Sequence, residues 1–325
     1  MSSAPTSRPS TAAVAVALGL VYVVWGSTYL AIAIMVETLP PLLAAGIRFA
    51  VAGLLMLGAL RIHARFRPSG ASAERPTAAH WRTAFIVGTL LLLGGNGGVV
   101  LAEQFIPSGI AAVVVATTPV WLVAFDSALS RRRPTTLAIG GLTTGLIGAV
   151  ILLAPVDQGV VFDPVGIGLL VVAEISWAAG SIYARRAPLP RSPFLGTGLE
   201  MLAGGIVLVT VGTLLGEVGR TEIAAFSPRS LVALAYLTLV GSLVGFTAYT
   251  WLLARVPVTV ASTYAYVNPV VAVALGAVIL AEPITLRTLL GTAIIIGAVA
   301  AIVSGRREDA DEAGPAPEAA TLEPE

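Results

Sequence analysis

The chain has 325 residues, of which 56% are hydrophobic and 11% are charged. Soluble domains carry about 25% charged residues, so this composition excludes an ordinary soluble protein and indicates an integral membrane protein. The formal net charge of +1 argues against a nucleic-acid partner, and the absence of cysteine excludes disulfide bonds and thiolate metal sites.

Apolar runs of the length that crosses a bilayer, about 20 residues, recur along the chain. The runs are continuous and do not alternate, which favours α-helices over the strands of a barrel. The first run is too long for a cleaved signal peptide and lacks a small-residue cleavage site. The predicted fold class is an all-α integral membrane protein with ten transmembrane helices, at residues 12–36, 40–61, 83–105, 109–130, 135–154, 164–184, 194–216, 230–254, 257–281 and 284–304.

The distribution of arginine predicts the orientation of these spans, since cytoplasmic loops carry an excess of basic residues. Every basic residue is an arginine. With the N-terminus inside, 15 of the 19 fall on the cytoplasmic side, three outside, and Arg48 within the membrane. Both termini are therefore predicted to be cytoplasmic. Residues 1–11 and the acidic tail 305–325 are predicted to be disordered.

The pattern of the chain repeats once. Trp25 and Trp177 lie 152 positions apart, and the segment Pro41–Arg48 corresponds to Pro193–Glu200 at the same offset. We interpret residues 12–154 and 164–304 as two repeats of five helices. An odd number of spans per repeat requires opposite insertion, and inverted repeats are typical of transporters that work by alternating access.

Polar and aromatic side chains recur at helical spacing on several predicted spans. Inside a bilayer such side chains usually face the protein interior or water, which indicates a cavity. The alternative is that Ser and Thr bond to their own helix and that Trp and Tyr anchor the interfaces. In chain order the predicted cavity residues are Tyr22, Trp25, Tyr29, Asn96, Glu103, Thr118, Glu174, Trp177, Ser181, Tyr249, Thr263, Tyr266 and Asn268, with Trp25 and Trp177 as opposing walls.

Two prolines occupy equivalent places in the repeats, Pro119 and Pro269. Each removes an amide donor and leaves the carbonyl four residues earlier, at Val115 and Ala265, without its helical partner. We interpret the pair as hinges, with a kink that only improves packing as the alternative. The glycines of residues 94–98 lack the lysine of a phosphate loop, and close helix packing explains them better.

Five segments resemble the EamA family of the drug/metabolite transporter superfamily. They begin Trp25-Gly-Ser-Thr-Tyr-Leu, Pro41-Leu-Leu-Ala-Ala-Gly-Ile-Arg-Phe, Ala102-Glu-Gln-Phe-Ile-Pro, Ile175-Ser-Trp-Ala-Ala-Gly-Ser and Thr263-Tyr-Ala-Tyr-Val-Asn-Pro. The resemblance implies a bacterial inner-membrane protein of two inverted five-helix halves that moves small metabolites, most often outward. It also implies a cavity lined by helices 1, 3, 4, 6, 8 and 9. The sequence departs from the family pattern in the Arg131–Pro134 run that ends the fourth span.

Charges within the membrane are costly and need a partner or a function. Arg48, about 12 Å into the second span, either neutralises a substrate carboxylate or bonds to helix ends or to Glu103. We favour the structural role because the second span is not expected to line the cavity. Glu174 and Glu103 are candidates for a polar site or for proton coupling, although Glu103 can instead be solvated near the outer face. Asp126 and Glu200 remain further candidates.

We therefore predict a multi-pass secondary transporter of the bacterial inner membrane that exports amino acids, related compounds or drugs by alternating access. Its partners are a small-molecule substrate and the lipid bilayer, with proton coupling left open; the sequence does not predict the oligomeric state. The two histidines, His63 and His80, fall in the loop between spans two and three, so we expect no metal and no cofactor. The alternative is a membrane-embedded enzyme acting on a lipid-linked or amphipathic substrate.

Overall fold

The computed structural model describes residues 10–66, 74–106, 111, 114–131, 133–153, 163–280 and 285–312. In these residues the regular structure is helical. A short helix, Val258–Ala261, precedes the ninth long one. In chain order the long helices are α1 Thr11–Val36, α2 Pro41–Arg65, α3 Ala78–Ala102, α4 Thr118–Ser130, α5 Thr136–Leu153, α6 Pro164–Ala184, α7 Pro193–Leu214, α8 Pro228–Arg255, α9 Tyr264–Leu280 and α10 Leu286–Glu312.

Seven helices in the described part of the chain are long and apolar enough to cross a membrane. Six of them are α1, α2, α3, α6, α7 and α8, and the seventh is the segment Val258–Leu275. The apolar parts of α5 and α10 are shorter, at Thr136–Leu152 and Leu286–Ile302, and α4 has 13 residues. The predicted all-helical membrane class is confirmed, whereas the count of ten transmembrane helices stays a prediction.

The helices begin where local chemistry favours a helix start. Pro41, Pro164, Pro193 and Pro228 lie in the first turn of their helices, where the missing amide hydrogen costs nothing. An acceptor side chain often precedes them. Asp163 accepts from the backbone amides of residues 165 and 166 at 2.8 and 3.4 Å. These caps satisfy amides that a helix leaves free at its N-terminus.

The first helix of each half packs against helices of the other half. Helix α1 packs against α8 and α9, and α6 packs against α3 and α4, while α2 lies along α7 and α5 along α10. The contact between α2 and α7 is close because small residues meet there. A methyl group added at Gly46 or Gly205 would lie 2.7 Å or 2.4 Å from a neighbouring backbone nitrogen. Small residues permit such approach between membrane helices.

Several helix boundaries differ from the prediction. Helix α10 continues to Glu312, past the predicted end at residue 304, because the first proline after Leu286 comes only at Pro315. Residues 1–9 and 313–325 lie outside the described residues. His63 lies in the last turn of α2 and His80 in the first turn of α3, so neither is in a loop.

Both α3 and α8 change to a wider π-helical winding in the middle, at Thr89–Gly97 and Leu237–Phe246. The two segments occupy corresponding places, in the third helix of each half. π-Helical turns are uncommon and often occur at functional sites. Here they face the centre of the protein, where the two halves meet.

Candidate functional site

A cavity of about 90 Å³ lies between the two halves. One water needs about 10–15 Å³ by the same measure, so the cavity has room for several waters or a small organic molecule. Residues from α1, α2, α3, α4, α6, α8 and α9 line it. Of the predicted cavity residues, the lining includes Trp25, Tyr29, Asn96, Thr118, Glu174, Trp177 and Asn268.

Four aromatic rings close one end of this cavity, and we call them the aromatic floor: Trp25, Trp177, Tyr249 and Tyr264. The centroid of the Trp25 ring lies 5.6 Å from that of Trp177, 5.1 Å from Tyr249 and 5.0 Å from Tyr264. Edge-to-face contacts at such distances are favourable. Because Trp25 and Trp177 touch, they form one surface together, whereas the sequence analysis placed them as opposing walls.

Each tryptophan packs closely against a glycine of a π-helical segment. A methyl group added at Gly245 would lie 2.5 Å from Nε1 of Trp25, and one added at Gly95 would lie 2.7 Å from Cε3 of Trp177. Each tryptophan therefore packs on a glycine of the other half, and the two glycines, Gly95 and Gly245, are 150 positions apart. Close packing does explain the glycines of residues 94–98, as predicted, but the equivalent role of Gly245 was missed.

Next to the aromatic floor, the bond between Tyr22 and Thr263 joins the two halves, while Ser181 and Trp177 bond to Tyr249 within the second half. The hydroxyl groups of Tyr22 and Thr263 lie 2.6 Å apart, and those of Ser181 and Tyr249 lie 2.7 Å apart. Trp177 Nε1 also donates to the Tyr249 hydroxyl at 3.1 Å. Tyr22, Thr263 and Ser181 lie outside the cavity lining, and we interpret their bonds as holding the floor closed.

Farther from the cavity, Arg185 joins α6 to the end of α8. Its Nη1 donates to the backbone carbonyls of Leu253 and Val256 at 2.6 and 2.7 Å. The last carbonyls of a helix lack intrahelical partners and attract a cation. Asp126, a predicted buried charge, instead forms a half-exposed ion pair with Arg186 at 3.2 Å. Sequence reasoning missed Arg185, because a basic residue at a helix end is also typical of a topology signal.

Glu174 on α6 contacts Thr118, the first residue of α4, directly after the turn at residues 116–117. The Thr118 hydroxyl donates to the backbone carbonyl of Val115 at 2.5 Å and also contacts Oε2 of Glu174. This carbonyl is the one that Pro119 leaves without a helical partner, so Thr118 replaces the missing amide. A hydroxyl has a single proton to donate. If Thr118 gives it to Val115, Glu174 must be protonated and donate to Thr118.

The two prolines sit in different surroundings. Pro119 follows a turn at residues 116–117 and lies in the first turn of α4, so the helix is interrupted directly before it. Pro269 lies inside the continuous helix α9, and the break in that part of the chain comes earlier, at residues 262–263. Next to Pro269, the amide nitrogen of Asn268, in the orientation that satisfies its neighbours, donates to the carbonyls of Tyr22 and Tyr264 at 3.3 and 3.0 Å.

Arg48 lines the cavity, although the second helix was not expected to do so. Its side chain is 3% exposed. Nε donates to the Ser242 hydroxyl at 2.8 Å, and the guanidinium carbon lies 4.5 Å from the centroid of the Phe49 ring. The expectation failed because α2 packs against the π-helical segment of α8, where Gly241 leaves space for the guanidinium.

Of the remaining predicted residues, Tyr29 belongs to the cavity lining, whereas Glu103, Tyr266 and Glu200 do not. Glu103 is the C-cap of α3, and its Oε1 has no hydrogen-bond partner among the described residues. Tyr29 lies within electrostatic reach of Glu103 and Glu174. Tyr266 donates to the carbonyl of Leu142 on α5 at 2.9 Å, outside the cavity lining. Glu200 is buried where α7 meets α3, also outside the lining.

Within the described ranges, no group of three or more His, Asp or Glu side chains converges as a metal site would require. The charged groups of the cavity are instead one arginine and one glutamate on different helices. The described ion pair is Arg186 with Asp126, so Arg48 and Glu174 are not paired with each other. The cavity therefore offers aromatic surface and two separate charged side chains, Arg48 and Glu174, to a small organic molecule.

A model of the EamA-like transporter family matches residues 13–154 and 164–304. The chain is 39% identical over 291 residues to the inner membrane transporter YedA of Escherichia coli (strain K12), covering 89% of this chain and 90% of the relative. It is 25% identical over 304 residues to a Salmonella typhimurium protein named "Probable amino-acid metabolite efflux pump", covering 89% and 94%. A solved crystal structure, 19% identical, shares the fold with a TM-score of 0.72 over 92% of this chain and 99% of that one.

Proposed function

We propose that this chain, which belongs to the EamA-like transporter family, is a secondary transporter that exports small metabolites by alternating access. Membership of the family makes it a multi-pass membrane transporter of the drug/metabolite type. The export direction, the amino-acid-like substrate and the ten-helix topology with cytoplasmic termini are part of the proposal. The name of the Salmonella typhimurium relative supports an amino-acid-related substrate for that protein, and its similarity extends the idea to this chain.

The observation that carries the proposal is a cavity between the halves with one closed end. Along α1 the cavity residues follow Trp25 and the bonded Tyr22 precedes it; along α6 the cavity residue Glu174 precedes Trp177 and the bonded Ser181 follows it. The closed end is thus the end that the arginine distribution assigns to the cytoplasm. We infer an outward-facing arrangement, in which breaking the Tyr22–Thr263 bond between the halves and the Ser181–Tyr249 bond between α6 and α8 opens the opposite path.

Glu174 is the group we propose for proton coupling. When it is protonated, Thr118 is free to donate to Val115 and to complete the start of α4; when it is ionised, it competes for that proton. The charge state of one carboxyl would thereby change the hydrogen bonding at the break before Pro119. Glu174 interacts electrostatically with Tyr29 on α1, Tyr249 on α8 and Tyr264 on α9, and Glu103 on α3 interacts with Tyr29.

Flux into proteoliposomes tests the proposal. The purified chain is reconstituted with a panel of labelled amino acids and amphipathic drugs, and uptake is followed with and without a pH gradient. We expect at least one compound to cross, and Trp177→Ala, which removes part of the aromatic floor, to reduce its flux. Gly168→Ala is the matched control, because a methyl group there meets nothing within 4 Å. Chemical conversion of a compound without movement would instead favour the enzyme.

A further inference from the structure

The Arg48 guanidinium enters the cavity with most of its hydrogen-bonding capacity unused. An arginine has five N–H donors, and here only Nε donates to a described residue, Ser242. Nη1 is buried without a hydrogen-bond partner among the described residues. A buried donor left without an acceptor costs free energy, and more so when it carries charge. The terminal nitrogens therefore keep donors that no described residue accepts.

The acids of the protein do not neutralise this charge. Among the described residues Arg48 forms no ion pair, and the buried acid of the same cavity, Glu174, is engaged by Thr118. The guanidinium instead rests on the face of Phe49, a weaker compensation than an anion. A single buried charge in a membrane is costly, which argues that its partner arrives with the ligand.

The surroundings hold the guanidinium in one orientation. The bond from Nε to Ser242 fixes one edge, and Phe49 covers one face. Gly241 gives room for Nη2, since a methyl group there would lie 3.1 Å from that nitrogen and 3.2 Å from Thr28. An oriented guanidinium fork matches the two oxygens of a carboxylate, whereas a neutral amide offers only one acceptor.

We propose that Arg48 is the anion-binding residue of the cavity and that the transported substrate carries a carboxylate, with its apolar part on the aromatic floor. This inference rests on the proposed transport function and names the chemistry of its substrate. The Trp25 and Trp177 rings, which line the same cavity, provide the apolar contact area. Ser242 is a positioning residue, because it acts on the ligand only through Nε of Arg48.

Binding of matched compounds to the full chain in nanodiscs tests the proposal. The probes are 3-phenylpropanoate and L-phenylalanine, each compared with its own amide, and affinity is read from the ligand-dependent shift of thermal unfolding. Wild type should bind each carboxylate about 10–100-fold more tightly than its amide, the ratio expected for a charge-assisted hydrogen-bond pair. Arg48→Gln should remove the preference, and Arg48→Lys should restore only part of it because the fork is lost.

Ser242→Ala keeps the test informative if Arg48→Gln does not fold. This variant leaves the guanidinium in place but frees its edge, so the preference for the carboxylate should shrink without a change in amide binding. Equal binding of carboxylate and amide by wild type, failure to bind either carboxylate, or a preference that persists in both variants overturns the inference. If neutral compounds still cross proteoliposomes in those cases, transport stands and only the anion site fails; if no compound of any class crosses, the proposed function itself fails.

Discussion

Replacing Gly245 by alanine is the sharpest test of how the π-helical segments support the aromatic floor. The added methyl group would lie 2.5 Å from Nε1 and 2.8 Å from Cδ1 of Trp25, whereas carbon atoms pack at about 3.5–4.0 Å. The ring must therefore move by about 1 Å. It would strain its contacts with Trp177, Tyr249 and Tyr264, whose centroids lie 5.0–5.6 Å away.

The cost has two parts. Overpacking a well-filled interior destabilises by about 1–3 kcal/mol. Trp25 Nε1 also donates to the carbonyl of Gly241 at 3.2 Å, and loss of a hydrogen bond adds about 0.5–1.5 kcal/mol. We expect Gly245→Ala to lose about 2–4 kcal/mol in total.

Thermal unfolding in detergent together with flux in proteoliposomes measures this effect. Gly168→Ala is the control, because a methyl group there meets nothing within 4 Å and alanine favours a helix by about 0.5–1 kcal/mol over glycine. Gly95→Ala, against Trp177, should behave like Gly245→Ala if the halves are equivalent. The reasoning is refuted if Gly245→Ala unfolds at the same temperature as Gly168→Ala and transports equally well.

Three further predictions concern the coupling group, the closed end and the connection between α2 and α3. Glu174→Gln should make transport independent of pH at a rate close to that of the protonated form, as flux at several pH values would reveal; an unchanged pH profile removes Glu174 from coupling. Arg185→Gln should increase maleimide labelling of a cysteine placed at the buried Ala261 from the cytoplasmic side by about tenfold, in a chain that has no other cysteine; equal labelling would contradict the assigned closed end. Partial burial raises the pKa of Glu74, but backbone hydrogen bonds from Arg191 and Ser192 outweigh it and hold the pKa below the ordinary 4.5. The ionised Glu74 therefore stabilises the fold above its ordinary pKa, and this stabilisation is lost as pH falls through the lowered folded-state pKa. Glu74→Gln should lower the free energy of unfolding by less than about 1 kcal/mol at pH 7 and leave it unchanged at acidic pH; an equal loss at both pH values would refute this assignment.

Much of the site was predictable because its residue types are unusual for a membrane interior. Glu174, Thr118 and the two tryptophans stand out in apolar runs, and helical spacing places them on inward faces. The cavity does include all four. Tyr266 carries the same signal, yet it points at Leu142 of α5, because a helix packed on several sides has more than one buried face. Periodicity alone does not say which neighbour a face meets.

The sequence by itself determined the properties that local hydrophobicity and repetition record. These are the membrane class, the approximate helix limits, and the correspondence of residues 12–154 with 164–304. Only the tertiary structure decided which side chains meet. It brought Arg48 of α2 into the cavity, set Trp25 on Gly245 of the other half, and placed Arg185 at the end of α8. Such contacts depend on how α1 and α6 cross between the halves and on the wider winding of α3 and α8. Both follow from packing among distant segments, which no window of the sequence contains.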